Sequence, residues 1–227
     1  MKKVLLGLLA TSALAMAQTE GTNLYLKVGA DIWQKYETIS TEGETVTSNK
    51  ADSLGYELGM EITKEVLQNI ELGFGIAYQD HGDIKSKSIY DYGIDYEDVT
   101  NVEVGSYKSV PLYVTAKYNI PLESSIKPYI KADLGYSFNF DENSTKLKWN
   151  YKENNAVLDS GEMNLSTSID NGMYYGIGAG MEYNDFLVEI MYKVNKADVK
   201  VTDGVDKVSG DLDYSRVTLS FGYKFNF

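Results

Sequence analysis

The stretch YSRVTLSFGYKFNF, residues 214–227, decides the fold. Successive side chains of a strand point to opposite faces, so its residues fall into two sets. Val217, Leu219, Phe221, Tyr223, Phe225 and Phe227 share one face. Arg216, Thr218, Ser220, Gly222, Lys224 and Asn226 share the other. One face is apolar and rich in aromatics, and the other carries charge.

Seven further segments pass the same test. Residues 24–33 set Leu24, Leu26, Val28, Ala30 and Ile32 against Lys27, Asp31 and Trp33. Residues 54–62 set Leu58 and Met60 against Glu57 and Glu61; residues 70–79 set Leu72 and Phe74 against Glu71 and Gln79. SVPLYVTAKYNI at 109–120 sets Leu112 and Val114 against Thr115 and Lys117, and residues 126–138 set Ile130 and Leu134 against Lys127, Lys131 and Asp133. Residues 173–183 carry Glu182, and residues 186–194 carry Glu189 and Lys193, opposite apolar faces. No apolar face holds a charge, whereas the opposite faces hold acids and bases in equal number. A soluble sandwich turns its charged face to water and buries the apolar one. Here the apolar face meets lipid or a second sheet.

The connections decide between these. Residues 64–69, 121–125 and 184–185 are short links, while 34–53, 80–106, 139–172 and 195–213 are long. Short turns at one end and long polar loops at the other are the pattern of a membrane barrel. Each segment has about the 9–11 residues that cross a bilayer at a tilt. Aromatics sit near both ends of the apolar faces, as at two membrane interfaces. Tyr36, Tyr78, Phe138, Tyr175 and Tyr192 are expected at the outer rim, and Tyr118, Tyr183, Phe186, Tyr223, Phe225 and Phe227 at the inner rim.

The first residues fit export. Lys2 and Lys3 precede an apolar run that ends in Ala15-Met16-Ala17, which reads as a signal peptide over residues 1–17 cleaved before Gln18. The remainder, 18–227, is one domain's worth of chain. The net charge is −12, and without Lys2 and Lys3 there remain 19 bases against 33 acids. That acidity argues against nucleic acid as a partner. The mean hydropathy of −0.29 fits a barrel, because half of each strand faces a polar interior. With no cysteine, no disulfide contributes.

On the leader, the eight amphipathic segments, SVPLYVTAKYNI and the final FGYKFNF, the chain resembles the small OmpA/OmpX-like eight-stranded outer-membrane β-barrels of Gram-negative bacteria. The resemblance implies a closed antiparallel barrel, an up-and-down meander, with its loops at the cell surface. It also implies that Phe221, Tyr223, Phe225 and Phe227 form the signal read by the barrel-assembly machinery. A monomer in outer-membrane lipid is expected, with no cofactor. The longer OmpA type continues into a peptidoglycan-binding domain; this chain stops at Phe227, so that role is not implied.

The candidate functional residues lie in two places. An eight-stranded lumen is filled by side chains. Asp31, Glu57, Glu61, Glu71, Asp133, Glu182 and Glu189 are expected there, with Lys27, Lys117, Lys127, Lys131, Lys193, Arg216 and Lys224. Unpaired buried charge is costly, so these groups should pair into a salt-bridge core; a gated ion path is the other reading. The loops hold the surplus negative charge. Residues 80–106 carry seven acids, and Asp91, Asp95, Glu97 and Asp98 match no EF-hand spacing, which favours a solvated loop over a Ca²⁺ site. Residues 139–172 should form a hairpin turning near Asn154 and Asn155, with Trp149 and Tyr151 as the candidate contacts for an extracellular protein or host-surface ligand.

The preferred function is a structural or adhesive surface protein, not an enzyme. The alternatives are a lipid A-modifying enzyme and a small low-conductance pore. The single histidine, His81, would need a serine or threonine beside it on the lipid face to support the enzyme.

Overall fold

Sixteen strands appear in the computed structural model, which describes residues 21–227 except 39, 42–43, 46, 94, 105, 141–143, 155 and 203–206. They are β1 Thr22–Tyr36, β2 Ser40–Thr41, β3 Glu44–Thr45, β4 Tyr56–Leu67, β5 Ile70–Asp80, β6 Lys87–Tyr92, β7 Tyr96–Glu103 and β8 Lys108–Asn119. Then come β9 Ile126–Phe140, β10 Thr145–Glu153, β11 Ala156–Ile169, β12 Gly172–Tyr183, β13 Phe186–Asn195, β14 Asp198–Thr202, β15 Lys207–Asp211 and β16 Tyr214–Asn226. The leader expected over residues 1–17 lies outside the described residues.

Eight of these strands close into a barrel, in the order β1-β16-β13-β12-β9-β8-β5-β4. All pairings are antiparallel, and each barrel strand lies beside its neighbours along the chain. Closure pairs the backbone groups that an open sheet edge would leave in hydrocarbon. The seam is zipped at its end: Gly21 N donates to Phe227 O at 2.8 Å, and Phe227 N to Thr22 O at 3.0 Å. Tight turns at the short-link end are made by asparagines in the left-handed region, Asn69 at φ 65° and Asn184 at φ 54°. Asparagine tolerates that conformation better than other side chains do. No described helix is long and apolar enough to cross a membrane; the strands cross instead.

The long connections are more ordered than loops. Three are hairpins, β6–β7, β10–β11 and β14–β15, and they join into a six-stranded sheet in the order β15-β14-β11-β10-β7-β6. That order follows the barrel order β16-β13-β12-β9-β8-β5, so the sheet continues six of the eight wall strands above the barrel. The hairpin expected within 139–172 is β10–β11, with Asn154 at φ 49° in its turn; Asn155 lies outside the described residues. The acidic segment 80–106 is not the solvated loop its charge suggested. β6 and β7 pair through it, with Ile89, Val102 and Val104 anchoring one face in an apolar cluster.

That cluster closes the mouth of the barrel. Tyr36, Tyr107, Leu212 and Tyr214 meet Val102, Ile169 and Val199 of the sheet. Tyr36 was expected on the outer rim; it is fully buried in this plug. The reason is a β-bulge. The pairing of β1 with β16 skips Ile32, from Asp31 opposite Thr218 to Trp33 opposite Val217. One extra residue exchanges the two faces beyond it. Trp33 therefore turns outward against Tyr192, ring centroids 6.5 Å apart, where strict alternation placed it in the lumen. Ile177, Phe186 and Phe221 are exposed on the outer wall, as the alternation requires of a lipid-facing surface. Phe225 and Phe227 are likewise outward, at the short-link end.

Candidate functional site

Strand alternation delivers one inward side chain every second residue, and the lumen is built of these in layers. Nearest the short links, Lys224 meets Glu182 at 2.6 Å, and Lys117 lies between Glu182 and Glu71, 3.2 Å from the latter. The Tyr25 hydroxyl lies 3.1 Å from both carboxylates and shares its one proton between them. Lys127, expected in the lumen, is exposed.

Mid-barrel, Glu61 accepts from Lys27 at 2.6 Å and Lys131 at 2.5 Å. Glu189 lies 3.0 Å from Lys27 and 3.6 Å from Lys131. Tyr113 donates to Glu61 and Tyr129 to Glu189. Glycines give these rings room: a Cβ on Gly75 would lie 2.3 Å from the Tyr113 ring, and one on Gly180 2.4 Å from the Tyr129 hydroxyl. Asp133 lies 3.4 Å from Lys131 and accepts no hydrogen bond among the described residues.

In the upper layer Arg216 lies 3.5 Å from both Asp31 and Glu57, while Lys193 pairs with Glu57. Asp31 also accepts from Tyr214 at 2.8 Å and Thr218 at 2.7 Å. Seven buried acids thus meet five buried bases and the half-buried Lys224. Each charge is expensive to bury and becomes tolerable through its partners.

Above the charges sits a neutral network that the sequence reading missed. Asn195 Nδ2 lies within hydrogen-bond distance of Gln79, Ser109 and Ser137, at 2.9–3.2 Å, and donates its two protons among them. Ser109 Oγ is 2.8 Å from His81 Nε2. The histidine ring packs between Tyr107 and Tyr214, tilted against both, with ring centroids 4.6 and 4.4 Å away. Burial, and secondarily the charge of Arg216, holds its pKa well below the ordinary imidazole value. So His81 does have a serine beside it. Both residues are wholly enclosed in the mouth of the barrel, not on the lipid face, and His81 Nδ1 has no hydrogen-bond partner among the described residues. The pair has the spacing of a hydroxyl and its base, but both side chains are shut off from solvent and lipid, and no carboxylate hydrogen-bonds His81 among the described residues.

The ion-paired layers below an apolar plug predict that the folded protein conducts little in a planar bilayer. A large, stable, ohmic conductance from the monomer would contradict this packing.

The sheet above the membrane has two chemically different faces. The outward face carries an ion-pair ladder, Lys148 to Glu103 at 2.8 Å and Lys152 to Glu97 at 3.4 Å. These pairs are half-exposed and contribute little. The inward face carries Trp149 and Tyr151. Trp149 lies over Gly161, where a Cβ would come within 2.4 Å of the ring, and its Nε1 donates to Asp159 at 3.2 Å. Part of its surface is thus spent within the hairpin. Of the acidic quartet, Glu97 faces outward to Lys152, while Asp91 and Asp98 are directly opposed. No cluster of three or more metal-ligating side chains occurs among the described residues.

Comparison with known proteins agrees with this architecture. The family model for the outer membrane protein β-barrel domain matches residues 4–225. An uncharacterized protein of Pasteurella multocida, PM1543, is 32% identical, over 99% of this chain and 98% of its own. The outer membrane protein OprG of Pseudomonas aeruginosa shares the fold at a TM-score of 0.51 and 14% identity, covering 92% of this chain and 97% of that one. The attachment invasion locus protein Ail of Yersinia pestis aligns over 91% of this chain and 100% of its own, at 12% identity and a TM-score of 0.44.

Proposed function

Because the chain belongs to the family of outer membrane protein β-barrel domains, and so is an integral protein of the bacterial outer membrane, we propose that it works by contact through the sheet above the membrane. One observation carries the reading. The long connections form an ordered six-stranded platform standing on a barrel whose lumen is packed with ion pairs and capped by an apolar plug. The strands are committed to lipid and lumen, which leaves the platform to meet partners. Its tips expose apolar groups that the fold does not use: Tyr90 and Tyr92, stacked 5.8 Å apart, and Val157 and Leu158 at the end of the β10–β11 hairpin. Exposed aromatics on a polar rim are the ordinary material of contact surfaces. On this reading the protein is not an enzyme, consistent with the enclosure of His81 and Ser109, and its chemistry needs no cofactor. The outward Phe221, Tyr223, Phe225 and Phe227 serve the assembly machinery, and the leader is removed on export.

Deletion of residues 146–166 tests it. The barrel closes without β10 and β11, so the deleted protein should still show heat-modifiable migration on gels. Its retention on a panel of immobilised extracellular-matrix proteins should fall to background. Full retention by the folded deletion variant would contradict the proposal. A deletion that leaves retention intact and weakens the membrane against detergent would assign the platform a structural role instead.

A further inference from the structure

The inward face of the platform holds a row of side chains that its own fold does not neutralise. Four strands align it: Asp91 of β6 opposes Asp98 of β7, Asp98 opposes Tyr151 of β10, and Tyr151 opposes Asp159 of β11. Like charges directly opposed across an antiparallel pair are destabilising. No lysine or arginine of β7, β10 or β11 shares this face. The lysines of β10, at 146, 148 and 152, all alternate to the other side, where Glu103 and Glu97 receive two of them. Lys87, inward on β6, is held by the Thr45 carbonyl. One carboxylate oxygen of Asp98 is enclosed and accepts no hydrogen bond among the described residues. Around the row stand Tyr96, its ring 6.1 Å from that of Tyr151, and Trp149. The row is reachable from solvent, since Asp91, Tyr96 and Asp159 are exposed.

We propose that this row is the docking site for a lysine- or arginine-bearing extended segment of a partner protein. An ammonium or guanidinium over Tyr151 meets a ring face with a carboxylate on each side, Asp98 and Asp159. Cation–π attraction and charge-assisted hydrogen bonding then act on the same group. The unneutralised Asp91–Asp98 pair gains a counter-charge when the segment binds, so the cost borne in the free protein is relieved in the complex. This proposal rests on the contact reading above and names the chemistry of the partner.

The probe is a short synthetic peptide of alternating arginine and glycine, titrated into the detergent-folded protein and followed by calorimetry. An analogue with glutamate for arginine is the control. The arginine peptide should bind, weaken as salt rises, and bind at least about tenfold more weakly to the D91N/D98N/D159N variant, because two or more screened ion pairs are lost while the Tyr151 ring remains. The outward-face variant E97Q/E103Q should bind as the unaltered protein does. Tyr151→Leu should weaken binding with all carboxylates retained, which a purely electrostatic surface would not do. No binding to the unaltered protein, equal binding of both peptides, or equal loss in the inward- and outward-face variants overturns the site. If the peptide fails while deletion of residues 146–166 still abolishes retention on matrix proteins, the contact reading stands and this partner chemistry falls.

Discussion

Arg216→Met should destabilise the folded protein by about 3–5 kcal/mol, the cost of removing one partner from a buried ion-pair cluster. Arg216 is fully buried, 3.5 Å from both Asp31 and Glu57, and donates to Asn195 at 2.6 Å. Methionine fills much of the same volume, so the loss is of charge more than of packing. Glu57 keeps Lys193. Among the described residues Asp31 meets no other base, only the hydroxyls of Tyr214 and Thr218. The stranded carboxylate at Asp31 should therefore carry much of the cost. The double variant R216M/D31N should recover part of the loss. Urea unfolding in lipid vesicles measures both. A double variant less stable than R216M alone would mean that the charge left behind is not what makes the substitution costly.

The second large effect lies one strand face away. Phe221→Arg should cost about 2–4 kcal/mol, because Phe221 is exposed near the middle of β16, where the wall meets the bilayer centre. Phe221→Leu, which keeps an apolar group in lipid, should cost far less. Ser220 next to it faces the lumen and is completely enclosed; a Cβ on Gly29 would already lie 2.6 Å from its hydroxyl. Arginine at 220 would fail too, but by overpacking. Equal unfolding midpoints for Phe221→Arg and Phe221→Leu would contradict a lipid-facing position.

The barrel was legible in the sequence because lipid imposes a strict rule: every second residue of β16, from Val217 to Phe225, had to be apolar. The same rule sorted Asp31, Glu57, Glu61, Asp133, Glu189, Lys117, Lys131, Lys193, Arg216 and Lys224 onto the inner face. Which of them pair depends on register between strands far apart in the chain, such as Lys27 with Glu189, and alternation within one strand carries no register. Trp33 and Tyr36 were misplaced for a related reason. A bulge at Ile32 changes the facing of all that follows in β1, and nothing in the local residue types announces it.

The platform was harder to read. Water lies on both its faces beyond the plug, so neither face needs to be apolar, and segments such as YEDVTNVE in β7 look like acidic loop. The contact between His81 and Ser109 joins residues 28 apart through the pairing of β5 with β8. Both residue types were visible in the sequence, and their adjacency was not.

Thiol labelling of intact cells tests the central claim most directly, since the chain has no cysteine of its own. Single cysteines would be placed at Val157 on the platform tip, Ile177 on the outer wall and Ser220 in the lumen, then offered a membrane-impermeant maleimide. A closed barrel under a surface platform predicts rapid labelling of Val157→Cys and none of Ile177→Cys or Ser220→Cys until the protein is unfolded. Labelling of Ser220→Cys from outside, or protection of Val157→Cys, would contradict it.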